Sequence, residues 1–313
     1  VAEMKTRKLI LIIADVVLLA VCIFQWVRKS HDTTKYFKFT DTPDSIGIIT
    51  PDENINIKMD DGKWFVGEKK YPANQATVDE FISSLSSIRA LNKVGSTSRQ
   101  SEVERYELNE GKATVVTVKK GDKVLRTVTI GKKAINDSQC YGTFDGGKDI
   151  YLIAGKLKDI FATNVQKIRS EIVFNLNAEE MTGISITDYS KNGVEGKTVT
   201  VSRIVNGEEV SWNVSGTDIQ VDSIKAKNFL EGFANLTTSE WYEDDANLEG
   251  TKIVSAKIEH ATKTTSVEIY EKKMSKSETA QQYFGKSSET PYTFKVNKNS
   301  VDKYLKNTDE LAK

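Results

Sequence analysis

WFVGEKKYPANQATVDEFISSLSSI, residues 64–88, returns in altered form as WNVSGTDIQVDSIKAKNFLEGFANL, residues 212–236, and the two stretches align without a gap. Trp64 falls on Trp212, Val66 on Val214, Asn74 on Asp222, Phe81 on Phe229, Leu85 on Phe233 and Ile88 on Leu236. In each copy Trp-x-Val reads as a short strand. A loop then leads to Asn74 or Asp222, residue types that readily accept hydrogen bonds from the free amides at a helix start. The apolar residues that follow are Val78, Phe81, Ile82, Leu85 and Ile88 in one copy and Ala226, Phe229, Leu230, Phe233 and Leu236 in the other. Their spacing puts all five on one face of a helix. The chain is thus expected to hold one building block twice, with Trp64, Asn74, Phe81, Trp212, Asp222 and Phe229 as its fold-defining positions.

Strands flank both copies. Ile46, Ile48 and Ile49 form a short apolar run, and Ile55, Ile57 and Met59 alternate with polar residues before the Asp61-Gly62 turn into Trp64. That is a hairpin signature. Thr114–Lys119 and Val124–Ile130 pair around Gly121-Asp122, and Cys140–Phe144 and Ile150–Ile153 pair around Asp145-Gly146-Gly147-Lys148. A short helix with Leu157, Ile160 and Phe161 closes the block. In the second copy Ile184–Thr187, Val199–Ile204 and Ser211–Val214 repeat the opening hairpin. Val254–Ile258, Thr264–Tyr270, Tyr283 and Tyr292–Val296 repeat the later strands, and Ser300 is expected to cap a helix with Val301, Tyr304 and Leu305. Residues 95–110 are polar and read as a loop. The fold class that follows is α+β, with two tandem repeats, each an antiparallel-rich sheet with helices packed on one face. The first repeat is expected over residues 44–177 and the second over 178–313.

Residues 9–27 are apolar except for Asp15 and Gln25. As a helix they would reach across about 28 Å, close to the hydrocarbon thickness of a bilayer. Lys5, Arg7 and Lys8 precede the run, which favours a cytoplasmic N-terminus, and Trp26 suits the membrane interface. Residues 1–29 are therefore expected to be an uncleaved single-pass anchor, with 30–43 a juxtamembrane tether carrying Tyr36, Phe37 and Phe39. Lipidation of Cys22 after Leu19-Ala20-Val21 is the alternative mode of anchoring. Asp15 is the expected contact with a partner helix, since intramembrane carboxylates often face protein.

The composition excludes several functions. The 313 residues are 38% hydrophobic and 28% charged, as in folded proteins. Forty-four basic residues balance 44 acidic ones, so no net field draws the chain to nucleic acid. His31 and His260 are far apart in sequence, and no zinc-ligand spacing, nucleophile elbow or phosphate-binding loop is present. No catalytic residue, cofactor or metal is expected. Asp60-Asp61 and Glu243-Asp244-Asp245 are adjacent loop carboxylates without the separation that acid–base pairs need. Trp241-Tyr242 reads either as a contact surface, where aromatic residues gather, or as a core contact under its loop.

Trp64-Phe65-Val66, Tyr71-Pro72-Ala73-Asn74-Gln75, Tyr106-Glu107-Leu108, Val115–Val118, Ile130-Gly131, Tyr141 and Ile150-Tyr151-Leu152 resemble the bacterial family called domain of unknown function 4340. In the second repeat Ile219-Gln220-Val221 stands for Tyr-Pro-Ala, and Tyr270-Glu271 is expected to stand for the Ile-Gly step. The resemblance implies a membrane-anchored extracytoplasmic protein associated with ABC transporters of the gliding-motility type, and it supplies no catalytic residues. The expected function is a non-enzymatic accessory subunit at the bacterial cytoplasmic membrane, with an ABC permease or another membrane protein as partner and the bilayer contacted through residues 9–27. The alternative is an extracytoplasmic module that holds a glycan, lipid or peptide between the repeats.

Overall fold

The computed structural model describes residues 14–23, 34–191, 193–215, 219–243, 246, 248–274, 279–306 and 308–312. The chain divides into two compact units, Val1–Arg169 and Ser170–Lys313. Residues 14–23 are helical (α1) and every one of them is exposed.

In the first unit ten strands form one sheet. They are β1 (Lys35–Lys38), β2 (Ser45–Ile49), β3 (Asn54–Asp60), β4 (Lys63–Val66), β5 (Tyr71–Pro72), β6 (Ser87–Ser96), β7 (Thr114–Lys120), β8 (Lys123–Lys133), β9 (Gln139–Phe144) and β10 (Asp149–Ala154). The order across the sheet is β1-β6-β10-β9-β8-β7-β2-β3-β4-β5, with every pairing antiparallel. Alternation explains the layering: Ile46, Ile48, Ile55, Ile57, Val116, Val118, Val128 and Ile130 are all fully buried while their neighbours face out. Over this face lie α2 (Gln75–Ser86), α4 (Leu157–Ile160) and α5 (Val165–Ile168), which contribute Val78, Phe81, Leu85, Leu157 and Ile168 to the same core.

The second unit has a two-stranded sheet of β11 (Ile172–Asn175) and β15 (Asn235–Thr237) and a seven-stranded sheet. The latter comprises β12 (Met181–Asp188), β13 (Thr198–Asn206), β14 (Glu209–Val214), β16 (Gly250–His260), β17 (Thr264–Lys272), β18 (Tyr283–Ser287) and β19 (Thr290–Val296), in the order β14-β13-β12-β16-β17-β18-β19. Its core receives Leu230 from α6 (Ser223–Glu231) and Val301 and Tyr304 from α7 (Lys298–Tyr304).

Strand for strand, the seven-stranded order repeats the β4-β3-β2-β7-β8-β9-β10 run of the first sheet, and the separate β11-β15 pair repeats β1-β6. The correspondence extends to hydrogen bonds. Asn74 caps α2 by accepting from the Thr77 amide, and Asp222 caps α6 by accepting from the Ile224 and Lys225 amides. The backbone of Asn74 donates to the Ile168 carbonyl at 2.8 Å, and that of Asp222 to the Leu311 carbonyl at 2.9 Å. Each unit thus ties the start of its main helix to its own last turn.

Several expectations change, for identifiable reasons. The units part after Arg169 rather than after 177, and residues 35–38 of the expected tether are a strand. Both differences have one cause: the building block opens one strand earlier than the tryptophan hairpin suggests. β1 pairs with β6 as β11 pairs with β15, and Phe37 opposite Ile88 matches Phe174 opposite Leu236.

The two helices end before Ile88 and Leu236. Those residues belong to β6 and β15, where they are buried from a strand instead of a helix face. Residues 95–110 include a further helix, α3 (Gln100–Arg105), and a small second core of Tyr106, Leu108 and Ile150 on the opposite side of the first sheet. Helices therefore do not keep to one face there. Asn297, not Ser300, caps α7; its side chain accepts from the Ser300 amide.

The Ile-Gly step also shifts. By strand register Val128 and Ile130 correspond to Val267 and Ile269, so Gly131 corresponds to Tyr270, not Glu271. A Cβ on Gly131 would lie 2.1 Å from the Tyr106 carbonyl, because the segment after α3 packs directly on that backbone. In the second unit the position carries the Tyr270 ring, which stacks on Phe284 at 5.0 Å.

Among the described residues no helix is long and apolar enough to cross a membrane. Of the 9–27 run, residues 9–13 and 24–27, Trp26 included, lie outside the described residues.

Candidate functional site

Most residues singled out in the sequence hold the fold. Trp64 is buried at the edge of the first core, and Phe81 packs on Phe161 with ring centroids 5.0 Å apart. Trp241 is a core residue: it is 8% exposed, its Nε1 donates to the Ser170 carbonyl at 2.8 Å, and its ring meets Phe294 edge-on. The contact-surface reading of Trp241 gives way to the core reading, because the loop folds back so that residue 241 bridges β19. Tyr242 is half-buried beside it, with its backbone amide bonded to Thr293. Asp15 lies on the exposed helix α1. Asp60 and Asp61 form the β3–β4 turn, where Asp60 pairs with Lys70 at 3.3 Å and Asp61 takes a positive φ. Of the second acidic run, Asp244 and Asp245 lie outside the described residues.

The polar groups that do interact closely serve strands and turns. Buried Arg126 reaches Asp145 at 2.6 Å, and the other carboxylate oxygen of Asp145 accepts from the Thr127 amide at 2.8 Å. Lys263 pairs with Glu289 at 2.7 Å, and fully buried Thr265 donates to the same carboxylate at 2.8 Å; these contacts lower the Glu289 pKa from its ordinary value. At the end of β16, burial and the nearby Lys263 ammonium push the His260 imidazole below its ordinary value. The Cys140 thiol is pushed up to about 11 by burial, the opposite of what a nucleophile needs. Among the described residues, no three His, Cys, Asp or Glu side chains are placed to hold a metal ion.

Two surface openings flank α6. On one side, a cavity of about 760 Å³ separates the helix from the β13–β14 hairpin. Trp212, Met181 and Leu230 form its apolar wall, and Arg203, Lys227, Glu179 and Glu231 stand around it. Here the duplicated tryptophans diverge, since Trp212 is only half-buried. On the other side, a cavity of about 450 Å³ has Phe229, Phe233 and Leu311 in its lining together with Lys225, Lys303 and Lys306. Among the described lining residues the hydrogen bonds and ion pairs are those of helix ends and surface pairs.

Nothing in a single repeat marks these openings. The signal is in the comparison of the two: aligning the closing helices on buried Leu157 and Val301 sets Asp159 on Lys303, Ile160 on Tyr304 and Phe161 on Leu305, a reversal of charge and a shift of the ring by one position.

The profile of one family, described as a domain of unknown function, matches residues 64–252, which is more than half of the chain. This span runs from the first tryptophan hairpin into β16. No curated protein and no solved structure matches the chain. The chain belongs to the DUF4340 family of domains of unknown function.

Proposed function

We propose that this chain is a non-enzymatic accessory subunit, anchored in the bacterial cytoplasmic membrane through residues 9–27, whose two units lie outside the cytoplasm and serve an ABC-type transport system of the gliding-motility kind. The observation that carries the reading is α1. Its Val16, Val17, Leu18, Leu19, Val21 and Ile23 side chains are between 45% and 64% exposed. A helix apolar on all sides with no protein cover calls for lipid or for partner helices. Asp15 on the same helix supplies a polar group for which an intramembrane partner is the favourable environment. The two units, built on packed sheets with surface cavities and without a three-residue His, Cys, Asp or Glu cluster among the described residues, suit a role in recognition or scaffolding.

Crosslinking in the native cells, followed by mass spectrometry of what co-purifies with the intact protein, tests the assignment. Recovery of an ABC permease with its ATPase is the expected result, and Asp15→Leu is expected to reduce that recovery severalfold. Efficient crosslinking that yields no transport component overturns it.

A further inference from the structure

We propose that the second unit binds an anionic amphiphile, an alkyl chain ending in a carboxylate or phosphate, with its head at Lys225, Lys303 and Lys306 and its chain in the apolar slot beside Leu305. Three observations converge on this site.

The first concerns charge. Lys303 Nζ extends over the Phe233 ring, 4.8 Å from its centroid, to the Gly232 carbonyl, and Lys225 Nζ reaches the Ala312 carbonyl at 2.7 Å. Of the three amines only that of Lys306 has a carboxylate partner among the described residues, Glu310. Two positive charges thus rest on main-chain carbonyls at a cavity of about 450 Å³. Burial lowers the Lys303 pKa and no neighbouring carboxylate restores it, so an incoming anion would relieve this cation directly.

The second concerns shape. A narrower slot of about 140 Å³ shares Phe229 and Lys306 with the lysine cavity and continues past Leu305 to Ile186 and Val199, with Asp188 and Lys197 also in its lining. Head-group cations therefore adjoin a slot walled by aliphatic side chains and bordered by one further ion of each sign. Each methylene taken out of water would raise affinity about fourfold.

The third is the internal control that duplication supplies. At the corresponding places in the first unit, Asp159 pairs with Lys133 and Phe161 lies fully buried against Phe81. Ile46, Ile48, Ile55 and Ile57 beneath them are fully buried as well. In the second unit the half-exposed Leu305 stands at the ring position, the ring moves to the buried Tyr304 against Phe233, and the carboxylate is replaced by Lys303. The same architecture is sealed in one copy and open and cationic in the other.

The test uses the full chain in phosphatidylcholine nanodiscs and a photoactivatable twelve-carbon fatty acid, with labelled peptides mapped by mass spectrometry. Saturable labelling is expected on the peptides that contain Phe229 and Leu305. Dodecanoate and dodecyl phosphate should compete for it, and dodecyltrimethylammonium should not. Leu305→Phe, which restores the residue of the first unit, and Lys303→Glu are each expected to reduce labelling at least fivefold, with unchanged circular dichroism confirming the fold. If phosphatidylglycerol in the disc abolishes labelling, the occupant is a membrane lipid; if it does not and the free anions do, the occupant is a soluble amphiphile. Either outcome supports the site. Labelling that is unsaturable, equal in Leu305→Phe, or competed equally by the cationic amphiphile overturns it.

Discussion

Phe81→Ala destabilises the first unit by about 4 kcal/mol, the range for removing a fully packed aromatic ring from a core. Phe81 is 2% exposed and wedged between the sheet and Phe161. Its loss removes both the transfer free energy of the ring and the contacts of every residue around it. The neighbours cannot collapse into the space, because the strands beneath are fixed by hydrogen bonds on both edges. The duplicated position supplies the comparison: Phe229 is only half-buried, and Phe229→Ala is expected to cost roughly half as much by the same area argument. Urea unfolding monitored by amide exchange in each unit separates the two effects. Equal costs at the two positions would contradict the claim that the second copy is open where the first is sealed.

Asp145→Ala is expected to cost about 3 kcal/mol, because it leaves a buried guanidinium without its counter-charge. The Arg126 side chain is 5% exposed, whereas that of Asp145 is 48% exposed, so removal of the acid strands the more deeply buried partner. Two smaller losses add to this: the Thr127 amide loses its acceptor, and alanine is disfavoured at the positive φ of residue 145. Asp145→Asn separates them, since asparagine tolerates that backbone and can still accept from Thr127. It should recover about 1 kcal/mol, the net worth of one hydrogen bond. Adding Arg126→Met to Asp145→Asn should recover most of the remainder, because a buried ion pair replaced by an apolar side chain is often near neutral. Chemical denaturation of the four proteins checks the series. A double variant no more stable than Asp145→Asn alone would show that Arg126 contributes by packing rather than by charge.

What could be read in the sequence is what repeats with a local cause. Tryptophan hairpins, the Asn74 and Asp222 caps and the alternating strands depend on neighbours in the chain, and each lies where its pattern placed it. The helix ends were overrun for a specific reason. Ile88 falls at the next helical position after Leu85 and is also the inward residue of the following strand, so period alone could not distinguish the two. β1 escaped notice because it is a four-residue edge strand with only Phe37 turned inward, and its partner lies about fifty residues along the chain. Helix α3 has no apolar stripe from which to be recognised, since none of its six residues is buried. Trp241 could be read either way until the loop was seen to fold onto β19. The lysine-rimmed cavity was hidden most deeply. The slot that adjoins it is lined by Leu305 where the first unit has the buried Phe161, and that difference can be seen only against the copy that has the ring.

The anchoring of the chain is where the functional account is most exposed to refutation. Alkaline carbonate extraction of membranes from native cells, with the intact protein followed by immunoblot, tests it in one step. Retention in the pellet, with release only by detergent and loss of retention when residues 9–27 are replaced by a polar linker, is the predicted result. Recovery of the wild-type protein in the carbonate supernatant would contradict it and leave the exposed apolar face of α1 without the bilayer assigned to it.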